Sequence, residues 1–99
     1  MKRYGTIELV SDMPEAHGVH EKAEQLPRFN YCEIKSVNRR EAYEAMSHGF
    51  HPQYVFVLAQ AFDYHGEKQL RYDGALYNIL RSYETETDSI ELTAERVSD

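Results

Sequence analysis

The chain has no tryptophan, only one cysteine and three prolines, and no apolar run approaching the ~20 residues of a membrane helix. Each shortage excludes something. A single thiol, Cys32, permits neither an internal disulfide nor a thiolate zinc site, and within an expected strand it reads as a small buried hydrophobe. Without a membrane span or a signal-peptide core at the N-terminus, the expectation is a chain made and kept in a reducing cytoplasm, with no membrane partner. The five glycines never cluster as a phosphate loop, there is no Gly-x-Ser-x-Gly, and Cys32 has no indicated base partner. The chain is therefore expected not to be an enzyme and to hold no cofactor.

Metal binding fares no better. The histidines fall as His17-x-x-His20, His48-x-x-His51 and an isolated His65. The first pair sits among turn-formers, the second straddles Gly49, and no carboxylate or thiol completes either set. They read as solvated loop histidines.

What is present is an acidic, tyrosine-rich small chain. The 99 residues fit one small domain (1–99), large enough to bury roughly 60–70% of its unfolded surface. Net charge is −6, unevenly spread. Glu84, Glu86, Asp88, Glu91, Glu95 and Asp99 face only Arg96, and Asp12, Glu15, Glu21 and Glu24 face only Lys22. Arg28, Lys35, Arg39 and Arg40 are the counterweight. Tight nucleic-acid binding needs a concentrated cationic face, so this balance argues against it. Eight tyrosines suit half-buried surfaces, whether barrel core and rim or a partner interface.

Residues 62–83 organise the reading, with two strand–turn–strand signals in tandem. Asp73-Gly74 between apolar and aromatic flanks predicts a type I′ hairpin turn, and His65-Gly66-Glu67 another reversal. Strands are expected over Tyr4–Val10, Arg28–Val37, Gln53–Tyr64, Lys68–Tyr72, Ala75–Tyr83 and around Ile90-Glu91-Leu92-Thr93-Ala94. A helix over about 39–48 has Asn38 as its cap, Glu41 at capping-box spacing, Gly49 beyond its end and Pro52 to stop it. Between the first two strands lies a polar segment, 11–25, longer than a compact domain normally needs. The pattern predicts a mainly β fold: a small six-stranded antiparallel β-barrel with one short inserted α-helix and a long loop after the first strand.

Two surfaces invite a binding role. Tyr64, Tyr72, Tyr77 and Tyr83 can be read as a base-stacking platform, though Lys68, Arg71 and Arg81 are balanced by nearby acids. Arg39 and Arg40, with Tyr43, Met46 and Phe50 along the helix, can be read as facing an acidic partner; a helix packed across the barrel accounts for the stripe more simply. With these arginines, Glu84, Glu86 and Asp88 complete the candidate partner-facing set.

The chain resembles the head-closure (head–tail joining, or stopper) proteins of long-tailed bacteriophages. The likeness rests on Tyr4-Gly5-Thr6-Ile7-Glu8-Leu9, Cys32-Glu33-Ile34-Lys35-Ser36-Val37, Glu41-Ala42-Tyr43 with Ala45 and Gly49, and Pro52-Gln53-Tyr54-Val55-Phe56-Val57. Phe62-Asp63-Tyr64-His65-Gly66-Glu67, Leu70-Arg71-Tyr72-Asp73-Gly74, Tyr77-Asn78-Ile79 and Ile90-Glu91-Leu92 continue it; 11–25 matches no motif. The resemblance implies a virion protein, synthesised in a bacterial host, forming a homo-oligomeric ring between a portal–adaptor ring and a tail-completion protein. It also implies that a long loop projects into the channel, retaining DNA through transient non-specific contact. By position that gate is 11–25, with Asp12, Glu15, His17, Gly18, His20, Glu21, Lys22 and Glu24 as candidate residues. A nucleic-acid-binding barrel and a prophage-borne protein-binding module stand as alternatives.

Overall fold

The computed structural model of the protein describes residues 2–10 and 28–97. Six strands, β1 (Arg3–Val10), β2 (Arg28–Ser36), β3 (Tyr54–Leu58), β4 (Gln69–Tyr72), β5 (Ala75–Glu84) and β6 (Ile90–Arg96), close into an antiparallel barrel in the order β1-β2-β3-β6-β5-β4. One helix, α1 (Arg39–Met46), is inserted between β2 and β3. The expected fold class is the observed one. Because β1 pairs with both β2 and β4, no strand edge is left open.

Register explains the core. Directly opposed residues share a face, so Ile34, Phe56 and Leu92 stand side by side across three strands. Cys32, Leu58 and Ile90 form a second row, and Leu9, Leu70 and Tyr77 close the far side. With Ile7 and Ala94 these residues fill the barrel, each buried. Full burial of each large side chain stabilises by roughly 1.5–3 kcal/mol. Cys32 is the small buried hydrophobe expected of it.

The hairpin between β4 and β5 turns as its sequence demands: Asp73 has φ 52° and Gly74 φ 80°. A bulge falls between Ile79 and Arg81, where the β5–β6 register shifts.

Three expectations need correction. β3 ends at Leu58 rather than running to Tyr64, and a 3₁₀ turn over Ala61–Asp63 follows. The Ala61 amide donates to the Asp88 carbonyl instead of to a ladder, and Phe62, within the expected strand, is 72% exposed. Secondly, α1 ends at Met46, two residues earlier than predicted. Its start is as expected, with Glu41 N–H donating to Asn38 Oδ1 at 2.9 Å. Its end is a Schellman motif, in which Phe50 N–H donates to the Ala45 carbonyl and Gly49 (φ 88°) to that of Met46.

The third correction concerns which side of α1 meets the barrel. Tyr43, Met46 and Phe50 are 65, 51 and 45% exposed, so packing does not account for the stripe. Glu41, Ala42 and Ala45 are the half-buried residues instead. Glu41 Oε2 accepts from Arg81 Nη1 on β5 at 3.3 Å and from Thr93 Oγ1 on β6 at 3.5 Å. Outward-facing Thr93, which Glu41 meets, is buried, as is Val55 opposite it on β3. Periodicity found the stripe but could not say which way it faces.

Candidate functional site

β1 and β2 run antiparallel with Leu9 opposite Arg28, so the segment between them leaves and rejoins the barrel at one mouth. The expected gate residues Asp12, Glu15, His17, Gly18, His20, Glu21, Lys22 and Glu24 lie outside the described residues. What is described is the mouth itself.

Arg28, the first residue of β2, anchors this mouth. Its guanidinium donates to Glu67 Oε2 at 2.8 Å, to His65 Nδ1 at 2.9 Å and to the Asp63 carbonyl at 3.2 Å. The Glu67 side chain is 6% exposed, while that of Arg28 keeps 38% in solvent. A carboxylate so desolvated persists only with partners. Its other oxygen accepts the His65 amide at 2.8 Å, and Tyr64 Oη donates to the Glu67 carbonyl at 2.7 Å. Burial, then the nearby Glu67 charge, raises the Tyr64 phenol above its ordinary range. One carboxylate thus holds three irregular stretches together: the start of β2, the 3₁₀ turn and the chain leading into β4. In the sequence Glu67 is one of the acids near Lys68, Arg71 and Arg81, and nothing local pairs it with Arg28.

The candidate partner-facing residues are not brought together. Arg39 and Arg40 open α1, just after Ser36, which pairs with Tyr54 at the mouth opposite the Arg28 end. Glu84, Glu86 and Asp88 surround the β5–β6 turn, at the Arg28 end, where Glu84 pairs with Ile90 and Ile90 with Leu58. That turn is tied by Thr85 Oγ1 and Ser89 Oγ at 2.7 Å, with Asp88 at φ 69°. Beside it, Gln60, Ala61, Phe62, Glu84 and Asp88 line a shallow groove of about 270 Å³.

The stacking platform dissolves. Tyr77 is buried within the barrel, Tyr72 packs against the core, and Tyr64 is half-buried with its hydroxyl engaged; only Tyr83 is free on the surface. Alternation decides this, because Leu70, Tyr72 and Tyr77 fall on the inward register. Burial, then Tyr54, raises the Tyr77 phenol. At the rim Arg3 sits over the Tyr54 ring at 5.5 Å and donates to Tyr72 Oη at 3.2 Å. Among the described residues no group of three His, Cys, Asp or Glu side chains could hold a metal ion, and no helix is long and apolar enough to cross a membrane.

Comparison with protein-family models, curated proteins and solved structures finds no match. The functional reading therefore rests on sequence resemblance and geometry.

One feature went unread in the sequence. Phe29 and Tyr31 on β2 and Tyr4 on β1 project outward, each at least half exposed, with the Tyr4 and Tyr31 rings stacked at 5.7 Å. The signal was there. If Cys32 and Ile34 face inward, period two puts Phe29, Tyr31, Glu33 and Lys35 on the solvent side.

Proposed function

We propose that the chain is a structural virion protein of the head–tail connector of a long-tailed phage. It assembles as a ring below the portal and its adaptor, closes the DNA channel after packaging and presents the docking surface for the tail. The observation that carries this reading is a closed barrel with a long acidic segment tethered at both ends to one mouth, beside an Arg28–Glu67 pair whose carboxylate is buried. A gate needs length and a fixed base: the barrel gives the base, and residues 11–25 give the length. The acids Asp12, Glu15, Glu21 and Glu24, repeated around a ring, would repel DNA while the loops obstruct it sterically.

The resemblance laid out above supports the same reading over nearly the whole chain. A nucleic-acid-binding barrel is disfavoured, because its stacking tyrosines turn into the core. The test is deletion of 12–24 in an infecting phage. Filled heads that lose their DNA while still carrying the ring are expected; full retention of DNA would overturn the gate. Failure of the intact chain to join portal–adaptor particles would overturn the connector role itself.

A further inference from the structure

Among the described residues, two surfaces of the barrel expose large apolar side chains, and they lie on opposite sides. In the closed order β1-β2-β3-β6-β5-β4, the β1–β2 pair stands across the barrel from β6–β5, where Glu41 fastens α1. The first surface is the outward side of α1. Arg39 and Arg40 precede Tyr43 by four and three residues, so they share its side of the helix with Met46. The second is the outer face of β1–β2, where Tyr4 opposes Glu33, Thr6 opposes Tyr31 and Glu8 opposes Phe29. The first surface carries Arg39 and Arg40; on the second, Glu8 pairs with Arg71 and Lys35 with Glu91, which leaves Glu33 among the aromatic rings.

We infer that these two surfaces bind one another between copies, the Arg39/Arg40/Tyr43/Met46 side of one chain seating on the Tyr4/Tyr31/Phe29/Glu33 face of the next. Three observations choose a second copy as the occupant. The first is charge. Among the described residues the ion pairs are Arg28–Glu67, Lys35–Glu91, Arg71–Glu8 and Arg81–Glu41, and Arg39, Arg40 and Glu33 take part in none of them. Guanidinium groups match both remaining features, pairing with Glu33 and stacking on the exposed rings. The second is the position of the patches. Different surfaces on opposite sides make a head-to-tail contact that repeats, whereas pairing like with like would set Arg39 and Arg40 against themselves. The third is closure of the barrel. With no strand edge open in the barrel, association through it must run through side chains, and Tyr4, Phe29, Tyr31, Tyr43 and Met46 are five of the eight large apolar ones exposed among the described residues.

The inference names the subunit interface of the proposed ring but rests on the surfaces, not on the connector reading. Cysteines placed beside each patch test it: Ser47→Cys next to the helix stripe and Thr6→Cys on the β1–β2 face, both exposed. Native Cys32 is buried, its thiol pushed up to about 12, so it stays silent toward a short bis-maleimide at neutral pH. Each variant alone is expected to give no crosslink, an equimolar mixture a crosslinked mixed dimer, and the double variant a ladder. Reversing Arg39→Glu and Arg40→Glu in the Ser47→Cys chain should lower the mixed yield roughly tenfold or more, and Glu33→Arg in its partner should restore it. Three results would overturn the interface: crosslinks within either single variant matching the mixed yield, mixed yield no higher than with a control Asp73→Cys chain, or indifference to charge reversal. If the crosslink fails while the wild-type chain still joins portal–adaptor particles, the interface falls and the connector reading stands. A specific crosslink without portal binding gives the converse.

Discussion

Where β1 begins, the barrel is filled by rings: Tyr54, Phe56, Tyr72 and Tyr77 meet pairwise with centroids 5.3 to 6.3 Å apart. Where β1 ends, the interior turns polar. Arg28 and Glu67 pair there, and Asn30 Oδ1 is buried with no hydrogen-bond partner among the described residues. The aromatic mouth is shut by a two-residue turn whose conformation its own residues dictate. The ionic mouth must instead organise the 3₁₀ turn, the chain into β4 and the point where 11–27 rejoins the sheet. Apolar packing is non-directional and forgiving of sequence, while an ion pair with three further hydrogen bonds fixes backbone positions at the expense of desolvation. One mouth stabilises the fold; the other positions irregular chain, where a binding function belongs.

The sharpest way to break this contrast is at Phe56, fully buried and touching Tyr54, Tyr72 and Tyr77. Phe56→Ala should lower unfolding free energy by about 3–5 kcal/mol, read from urea denaturation. A loss below about 1 kcal/mol would mean the aromatic mouth is not the stabilising one. Glu67→Gln comes next. It keeps the shape but leaves Arg28 without its counter-charge. We expect a loss of about 2–3 kcal/mol, below the ~3–5 typical of a fully buried pair, because Arg28 reaches solvent. Amide exchange should speed up selectively over 61–68 and leave β4–β5 protected. Uniform acceleration would show that the ion pair supports the whole fold rather than one mouth.

How far these features were legible in the sequence follows from the range of the interactions. Asp73-Gly74, Asn38 with Glu41, and Gly49 before Pro52 each act within a few residues, and each appears where its local chemistry puts it. The barrel was legible because six alternating segments with one helix leave few ways to hide strand edges. Arg28 and Glu67 are 39 residues apart, and no local pattern could join them. The orientation of α1 failed for the same reason: Glu41 is decided by Arg81 and Thr93, 40 and 52 residues away. β3 was expected to run on to Tyr64 because a period-two run cannot announce that its strand has stopped.

Turn glycines sharpen the comparison at smaller cost. Gly74 and Gly66 have φ of +80° and +85°, and a Cβ at either would meet nothing within 4 Å. Replacement by alanine therefore meets no steric clash, and the backbone strain it adds is about 1–2 kcal/mol. Gly74→Ala should show that amount and no more in thermal melts. Gly66→Ala should exceed it, since Gly66 lies between His65 and Glu67, whose hydrogen bond would shift. Equal losses would mean the Glu67 clamp tolerates movement of its backbone.

The smallest effect at neutral pH is expected midway between the mouths, at Cys32, which pairs with Gly5 on one side and Leu58 on the other. Burial pushes its thiol from 9.0 up to about 12. In the unfolded chain that thiol ionises first, so between pH 9 and about 12 the folded chain holds the extra proton. Stability contributed by the neutral thiol is fully present below pH 9 and is lost as pH climbs toward 12. Tyr64 and Tyr77, both raised from 10.0 chiefly by burial, act in the same direction but begin later. Wild-type melting temperature should therefore hold level to about pH 9 and then fall. Cys32→Ala should cost about 1 kcal/mol or less at pH 7 and delay the onset of that fall to nearer pH 10. An unchanged onset would mean that water reaches the thiol, and that the polar interior of the ionic mouth extends to the middle of β2.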